Sequence, residues 1–354
     1  MIMTEIIIDY DTGRKKGVLI TDYLPVIREH FSVEDKDQAF KRRFSVGYRP
    51  PTRKYVITPQ GRFEPRFIFT IIDFLKDQKI PFNIILKDSF KEIIKTPHLK
   101  KELVKLNLPL RDYQEETVLS ALESKSGVIL LPTSAGKTLV MATLISSILK
   151  QHDLKTLILV PNLQLVTQSH SDFIEYGIPE SDVTMWTGKY EPNPNAKIFI
   201  SNVQILQSEK QDLSLLKRVG LLIVDEVHVC KRSNLINKII DQIPAVYRFG
   251  LTGTLPDNDL DQWNVLGKFG KIIYKKKSYD LREQNYITEV VVAILKLLYT
   301  NLPDFSPKSA SIPISVLDYT NQKMLSPCGG NYSASTIPLQ DHITHAFHPL
   351  PDQG

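Results

Sequence analysis

The sequence predicts an α/β protein with a central, mostly parallel sheet, preceded by a small α/β N-terminal domain. Two observations predict it. Between residues 106 and 275, apolar strand-like runs alternate with helical segments, the pattern of a parallel sheet covered on both faces. Within that region Leu221-Leu222-Ile223-Val224 has no polar face to give to water, so it belongs in the middle of the sheet.

The elements follow in order. Residues 1–105 mix short β-like runs with one helix over Phe67–Lys79, where Ile68, Ile71, Ile72 and Leu75 fall at helical spacing. The Lys/Leu-rich stretch Phe90–Leu106 is expected to be a helical linker. Residues 106–275 then supply strands at Gly127–Leu131, Thr156–Val160, Lys197–Ser201, Gly220–Val224 and Tyr247–Thr252, with helices at Lys137–Lys150 and Leu163–Tyr176. Residues 276–303 lead out of this region. From Asp304 to Gly354 no helical or strand period persists, and an irregular or disordered tail is expected.

Composition sets the class. A chain of 354 residues that is 42% hydrophobic can bury a sizeable core. Its net charge of +5 favours a polyanionic partner. The excess is concentrated in Lys41, Arg42, Arg43, Arg49, Arg53, Lys54, Arg62 and Arg66, opposed there by Glu64 alone. Interleaved with Phe44, Tyr48 and Tyr55, these cations fit a nucleic-acid contact, and equally a solvated basic loop above a small aromatic core. Cys230 and Cys328 lie far apart without CxxC spacing, so neither a disulfide framework nor a zinc site is expected. Ile6–Ile8 is flanked by Glu5 and Asp9, unlike a signal peptide, and no apolar run approaches the roughly 20 residues of a membrane span. A soluble, cytoplasmic protein without a membrane partner is expected.

Two motifs carry chemistry. Leu131-Pro132-Thr133-Ser134-Ala135-Gly136-Lys137-Thr138 follows a buried strand and opens a helix. Such a loop turns backbone N–H groups toward phosphate oxygens at a helix N-terminus. Gly136 allows close approach, Lys137 reaches the β/γ-phosphates, and Thr138 offers a hydroxyl to Mg²⁺. Leu131 stands where the strict phosphate-loop pattern has its first glycine. Further along, Asp225 and Glu226 end an apolar strand, at the sheet edge where ligands of open α/β folds bind. Asp225 is suited to hold Mg²⁺ and Glu226 to orient and deprotonate a water. His228 has no His or Cys at ligand spacing and is not a metal ligand.

Asp225-Glu226-Val227-His228 resembles the DExH box of superfamily 2 helicases, and Pro132–Thr138 resembles their first motif. Leu110-Arg111-Asp112-Tyr113-Gln114 is similar to the adenine-reading element, which assigns Arg111 and Gln114 to the nucleotide. Pro161 and Asn162 end a stretch similar to motif Ia; Thr187 and Gly188, then Ser201, Asn202 and Gln204, resemble the next nucleic-acid elements. Thr252-Gly253-Thr254 resembles motif III, which couples hydrolysis to movement. Along residues 40 to 300 the chain is similar to the UvsW-type recombination helicases of large tailed phages, whose N-terminal domain carries a basic, aromatic stretch like Lys41–Tyr48.

The resemblance implies a RecA-like P-loop NTPase domain that uses ATP and Mg²⁺, catalytic roles for Lys137, Asp225, Glu226 and His228, and DNA contacts from Arg42, Arg43 and Arg49. It implies an ATP-hydrolysing helicase acting on branched or forked DNA. A duplex translocase of a restriction-type system, an RNA helicase and a non-catalytic ATP- and DNA-binding module stay open beside it. A second motor domain with arginine motifs is not found after Ile287. A truncated or frame-shifted product, a fragment, or a second half on a separate chain would each account for that. The chain as it stands is expected to bind nucleotide and to fail at unwinding.

Overall fold

The computed structural model describes residues 4–35, 52–189, 191–206, 213–232, 234–284, 286, 316–318 and 323–325. Contacts divide the chain into two units, residues 1–288 and 289–354.

The first unit opens with strands β1 (Thr4–Asp11) and β2 (Lys16–Ile20) and helix α1 (Leu24–His30). β3 (Ser32–Glu34) and β4 (Arg53–Tyr55) pair antiparallel in a small ladder of their own. β5 (Arg62–Phe63), α2 (Ile68–Asp77), β6 (Phe82–Leu86) and α3 (Asp88–Ile94) follow. The resulting sheet has the order β5-β2-β1-β6, with only the β1–β6 pair parallel. Successive strand side chains point to opposite faces, so Ile6 and Ile8 of β1 enter one core. They meet the stripe Ile68, Ile71, Phe74 and Leu75, which helical spacing lines up along α2.

Residues 90–106 depart from the helix that their lysines and leucines predict. α3 stops at Ile94, and Pro97 disfavours helical backbone in the residue before it. The chain then runs without regular structure to Asp112. Leu99 is buried, and Leu103 and Leu106 pack on the next core. Freed backbone groups find side-chain partners instead: Lys100 N donates to Gln151 Oε1 (2.6 Å) and Val104 N to Ser147 Oγ (3.0 Å).

The large sheet is built from α4 (Asp112–Ser124), β7 (Ser126–Leu130), α5 (Lys137–Leu149), β8 (Lys155–Val160), α6 (Leu163–Glu175), β9 (Val183–Trp186), β10 (Ile198–Asn202) and α7 (Val203–Leu206). It continues through β11 (Val219–Asp225), α8 (Ile236–Ile240), β12 (Tyr247–Thr252), α9 (Asp259–Phe269), β13 (Ile272–Lys275) and α10 (Ser278–Glu283). Its seven strands run β13-β7-β12-β11-β8-β10-β9, every neighbouring pair parallel. Alternate residues enter two separate cores. Ile129, Ile158, Ile200 and Ile223 face α4, α5 and α6, whereas Val128, Leu157, Phe199 and Leu222 face α8 and α9. Both faces are dry, which is why these strands read as unbroken apolar runs.

Helix α9 belongs to both sheets. Val265 and Phe269 fill the large sheet's core, while Trp263 and Leu266 pack on the small one, with Phe31 and Trp263 ring centroids 5.5 Å apart. Between them Gly267 lets Glu64 and Phe67 close in; a Cβ there would lie 2.7 Å from Glu64 Cβ. Lys268, 3% exposed, binds Glu64 (2.7 Å) and Asp241.

In the second unit, β14 (Val316–Asp318) and β15 (Lys323–Leu325) pair antiparallel. Strands of three residues are too short to show a period. Among the described residues no helix is long and apolar enough to cross a membrane.

Candidate functional site

Because all seven strands are parallel, their C-terminal ends share one edge. The ladder registers align them: Thr252 stands opposite Leu130, Leu251 opposite Asp225, Val224 opposite Leu159, Val160 opposite Asn202, and Ser201 opposite Trp186. Every motif singled out in the large sheet region starts or ends at that edge.

The loop after β7 turns sharply into α5. Leu131 N donates to Thr252 O (3.0 Å), and Ala135 N to Pro132 O (3.2 Å). Leu131 is buried with ordinary backbone angles, so the missing first glycine leaves no strain at that position. Gly136 is left-handed (φ 69°), and a Cβ there would lie 2.5 Å from Gln114 Nε2. Both demands require glycine. Thr133 and Ser134 are exposed at the loop tip, and Ser134 also has positive φ (71°). Gly253 lies directly against the loop, its Cβ position 3.8 Å from Pro132 Cα.

Lys137, first residue of α5, reaches across β12 to the acidic box. Its Nζ touches Glu226 Oε1 and lies 3.9 Å from Asp225 Oδ1. Glu226 turns back through a left-handed backbone (φ 53°), its N donating to Asp225 Oδ1 (3.0 Å). Thr252 Oγ1 lies 3.2 Å from Glu226 Oε2. His228 Nδ1 is 2.9 Å from Thr252 Oγ1 and 3.1 Å from Glu226 Oε2. A carboxylate only accepts, so Nδ1 carries the hydrogen. Burial pushes the Asp225 carboxyl above its ordinary range despite the Lys137 charge. Glu226 goes the other way: burial pushes it up, but the Lys137 ammonium and the Thr252 hydroxyl outweigh that and hold it low. The two adjacent carboxyls are thereby driven apart.

The far half of the edge is neutral. Asn162 caps α6, Oδ1 accepting from Leu165 N (2.9 Å), beside Pro161. Ser201 is fully buried and donates to Trp186 O (2.8 Å). Thr187 Oγ1 accepts from Lys189 N (3.3 Å), next to exposed Gly188. Asn202 is 3% exposed and its Oδ1 has no hydrogen-bond partner among the described residues, while Gln204 is exposed.

Some expected residues sit differently. Gln114 is buried, its Oε1 accepting from Arg111 N (2.9 Å) and its Nε2 donating to Ala135 O (3.0 Å). The amide therefore braces the phosphate loop, joined by Tyr113, whose hydroxyl donates to the same carbonyl (2.9 Å). The sequence reading missed Tyr113 although it lies between Arg111 and Gln114. It also missed Tyr286, whose carbonyl accepts from Arg111 Nη1 (3.0 Å) and whose hydroxyl donates to Asp112 Oδ1 (2.6 Å). Arg42, Arg43 and Arg49 lie outside the described residues. Of their neighbours, Arg53 pairs with Glu29 (3.0 Å) and Lys54 with Asp35 (2.8 Å).

The donor set fits a magnesium nucleotide. A tight glycine turn opens α5 with an ammonium, and the hydroxyl of half-buried Thr138 and the Asp225 carboxylate are of the oxygen-donor type a hard dication takes.

Residues 107–257 match the family described as Type III restriction enzyme, res subunit. The chain is 28% identical over 194 residues to the ATP-dependent DNA helicase UvsW of Enterobacteria phage T4, covering 53% of this chain and 38% of that protein. It is 33% identical over 201 residues to the DNA 3'-5' translocase XPB2 of Sulfurisphaera tokodaii, covering 56% and 43% respectively. The chain thus spans less than half the length of these curated relatives. A crystal structure of the UvsW helicase from bacteriophage T4 superposes with a TM-score of 0.60 at 20% identity, over 77% of this chain and 100% of that one, a likeness of fold. The loop and acidic box lie on one edge of a RecA-like sheet, and this region is similar to the motor domain of superfamily 2 helicases, with UvsW-like similarity.

Proposed function

We propose that this chain is the nucleotide-binding motor half of an ATP-dependent DNA helicase that acts on branched or forked DNA. The observation that carries the reading is the contact of Lys137 with Glu226, 3.9 Å from Asp225, with Thr252 and His228 closing the same cluster. Lys137 and the loop N–H groups take the phosphates, Thr138 and Asp225 would hold a magnesium ion, and Glu226, kept ionised, would receive the proton of the attacking water. Magnesium, when bound, neutralises phosphate charge. Arg111 and Gln114 are assigned to the base, Gln114 also bracing the loop through Ala135 O. Thr252 and Gly253 join the acidic box to the loop, so a change at either carboxylate is felt at both. Pro161, Asn162, Thr187, Ser201, Asn202 and Gln204 form the DNA half of the edge, with Arg42, Arg43 and Arg49 adding phosphate contacts.

A duplex translocase is the second reading, favoured by the match to a restriction-enzyme subunit family and by the XPB2 likeness. Steady-state ATP hydrolysis with single-stranded, duplex and forked DNA, and with RNA, separates the readings. Strongest stimulation by forks supports the helicase, and by plain duplex the translocase. No stimulation by any nucleic acid rejects both.

A further inference from the structure

At the opposite end of β12 from Thr252, roughly 17 Å away along the strand, a second charged cavity of about 340 Å³ opens between the two sheets. Tyr10, Lys15, Glu64 and Arg66 line it from the small sheet's side, and Asp241, Arg248 and Lys268 from the other.

Its charges do not cancel. Glu64 is bound by Lys16 and Lys268, and Asp241 by Lys268, so two carboxylates are matched by two lysines. Arg66 and Arg248 form no ion pair among the described residues. Arg66, 8% exposed, donates from Nη2 to Val246 O (3.0 Å). Arg248 donates from Nε to Ala245 O (3.1 Å) and from Nη2 to Ile243 O. All three acceptors are neutral carbonyls, and a guanidinium has five N–H groups. Each arginine therefore keeps donors for the cavity. Lys15 is exposed at the mouth, its Nζ 3.5 Å from Asp241 O.

Burying a guanidinium without a bonded anion is expensive, and two side by side repel; the nearby charges of Asp241 and Glu64 offset this only in part for Arg248. Burial, then the charge of Arg248, pushes the Arg66 guanidinium down to about 9. An anion between them would reverse both costs, and planar forks match the oxygens of phosphate better than a point charge does.

We propose that this cavity is a second anion site, separate from the phosphate loop, which takes a phosphate group between Arg66 and Arg248 with Lys15 at its mouth. The phosphate is either free in solution or part of a DNA backbone running past the small sheet.

The test uses the full chain carrying Lys137→Ala, which silences the loop as a competing phosphate site. Thermal unfolding is titrated with sodium phosphate against sodium chloride at matched ionic strength. A saturable rise in Tm is expected, with apparent affinity reduced about tenfold or more by Arg248→Gln and severalfold by Lys15→Glu. A rise that tracks ionic strength alone, or a saturable rise undiminished in both variants, overturns the site. Should Arg248→Gln fail to fold, Lys15→Glu on its exposed position decides alone, and an undiminished response overturns the site. Fluorescence anisotropy with a labelled duplex identifies the source. Competition by phosphate, together with weaker DNA binding in Lys15→Glu, assigns the group to DNA; DNA binding indifferent to both assigns it to free phosphate.

Discussion

The two halves of the large sheet's C-terminal edge are made of the same backbone and differ in how their side chains are held. Over β7, β12 and β11, Lys137, Asp225, Glu226, Thr252 and His228 bind one another. Over β8, β10 and β9, Asn162, Ser201 and Thr187 bind backbone within their own strand ends or the neighbouring one. The first half is a charged cluster whose members share their contacts. The second is a row of caps and turns, each of which can be altered singly. On the proposed reading, the first senses one phosphate and the second holds a chain of many.

The largest effect tests the charged cluster. Lys137→Ala is expected to lower ATP turnover on the order of 100-fold or more, as loss of a charge-stabilising donor does. Turnover within threefold of wild type in a steady-state assay would break the comparison at its root. Next, Thr252→Val should leave nucleotide affinity intact and lower kcat about tenfold, because one hydrogen bond to a charged group is lost. A KM change with constant kcat would place Thr252 in binding instead.

Asp225→Asn should separate stability from function. The Asp225 carboxyl is raised above its ordinary 3.8 by burial, so the folded chain holds that proton to higher pH than the unfolded one. Stability is therefore lost as pH rises from 3.8 through the raised value, and the full cost persists at pH 7. Removing the carboxyl while Lys137 keeps Glu226 should raise Tm by about 2 °C at pH 7, a gain that shrinks toward pH 4. Glu226 has the opposite sign: its contribution is present above 4.5 and lost as pH falls through its lowered value. Calorimetry across that range measures both, and a lower Tm for Asp225→Asn at pH 7 would mean pairing with Lys137 outweighs burial.

The smallest effect probes the neutral half. Asn162→Asp keeps the acceptor that caps α6, so stability should hold, while DNA affinity falls severalfold in a salt-dependent manner. Asn162→Ala should instead cost about 1 kcal/mol of stability. Unchanged DNA binding in Asn162→Asp would remove that residue from the interface.

What was legible in the sequence follows the same physics. The strands buried on both faces were plain as apolar runs, and the loop and acidic box stood out because their residue types serve little else. β9, with Thr184 in a four-residue run on the sheet's end, and β13, entered through a lysine, were too short or too polar to show. The linker misled because its leucines cover a core without being helical, Leu99 burying itself where Pro97 has already ended the helix. Gln114 looked like a base reader, and only the fold reveals that both ends of its amide are engaged by protein. Arg66 stands in a basic stretch and Arg248 in an apolar strand, and neither setting says how deep the guanidinium lies.

Helix α9 leaves the strand that ends in Thr252 and inserts Trp263 and Leu266 among the aromatic rings of the small sheet. Transplanting the first hundred residues of this chain onto a relative would therefore need this chain's α9 to go with them. The unit of inheritance is the pair, and a graft cut at the linker would leave an indole facing water and a buried ammonium without one of its two carboxylates.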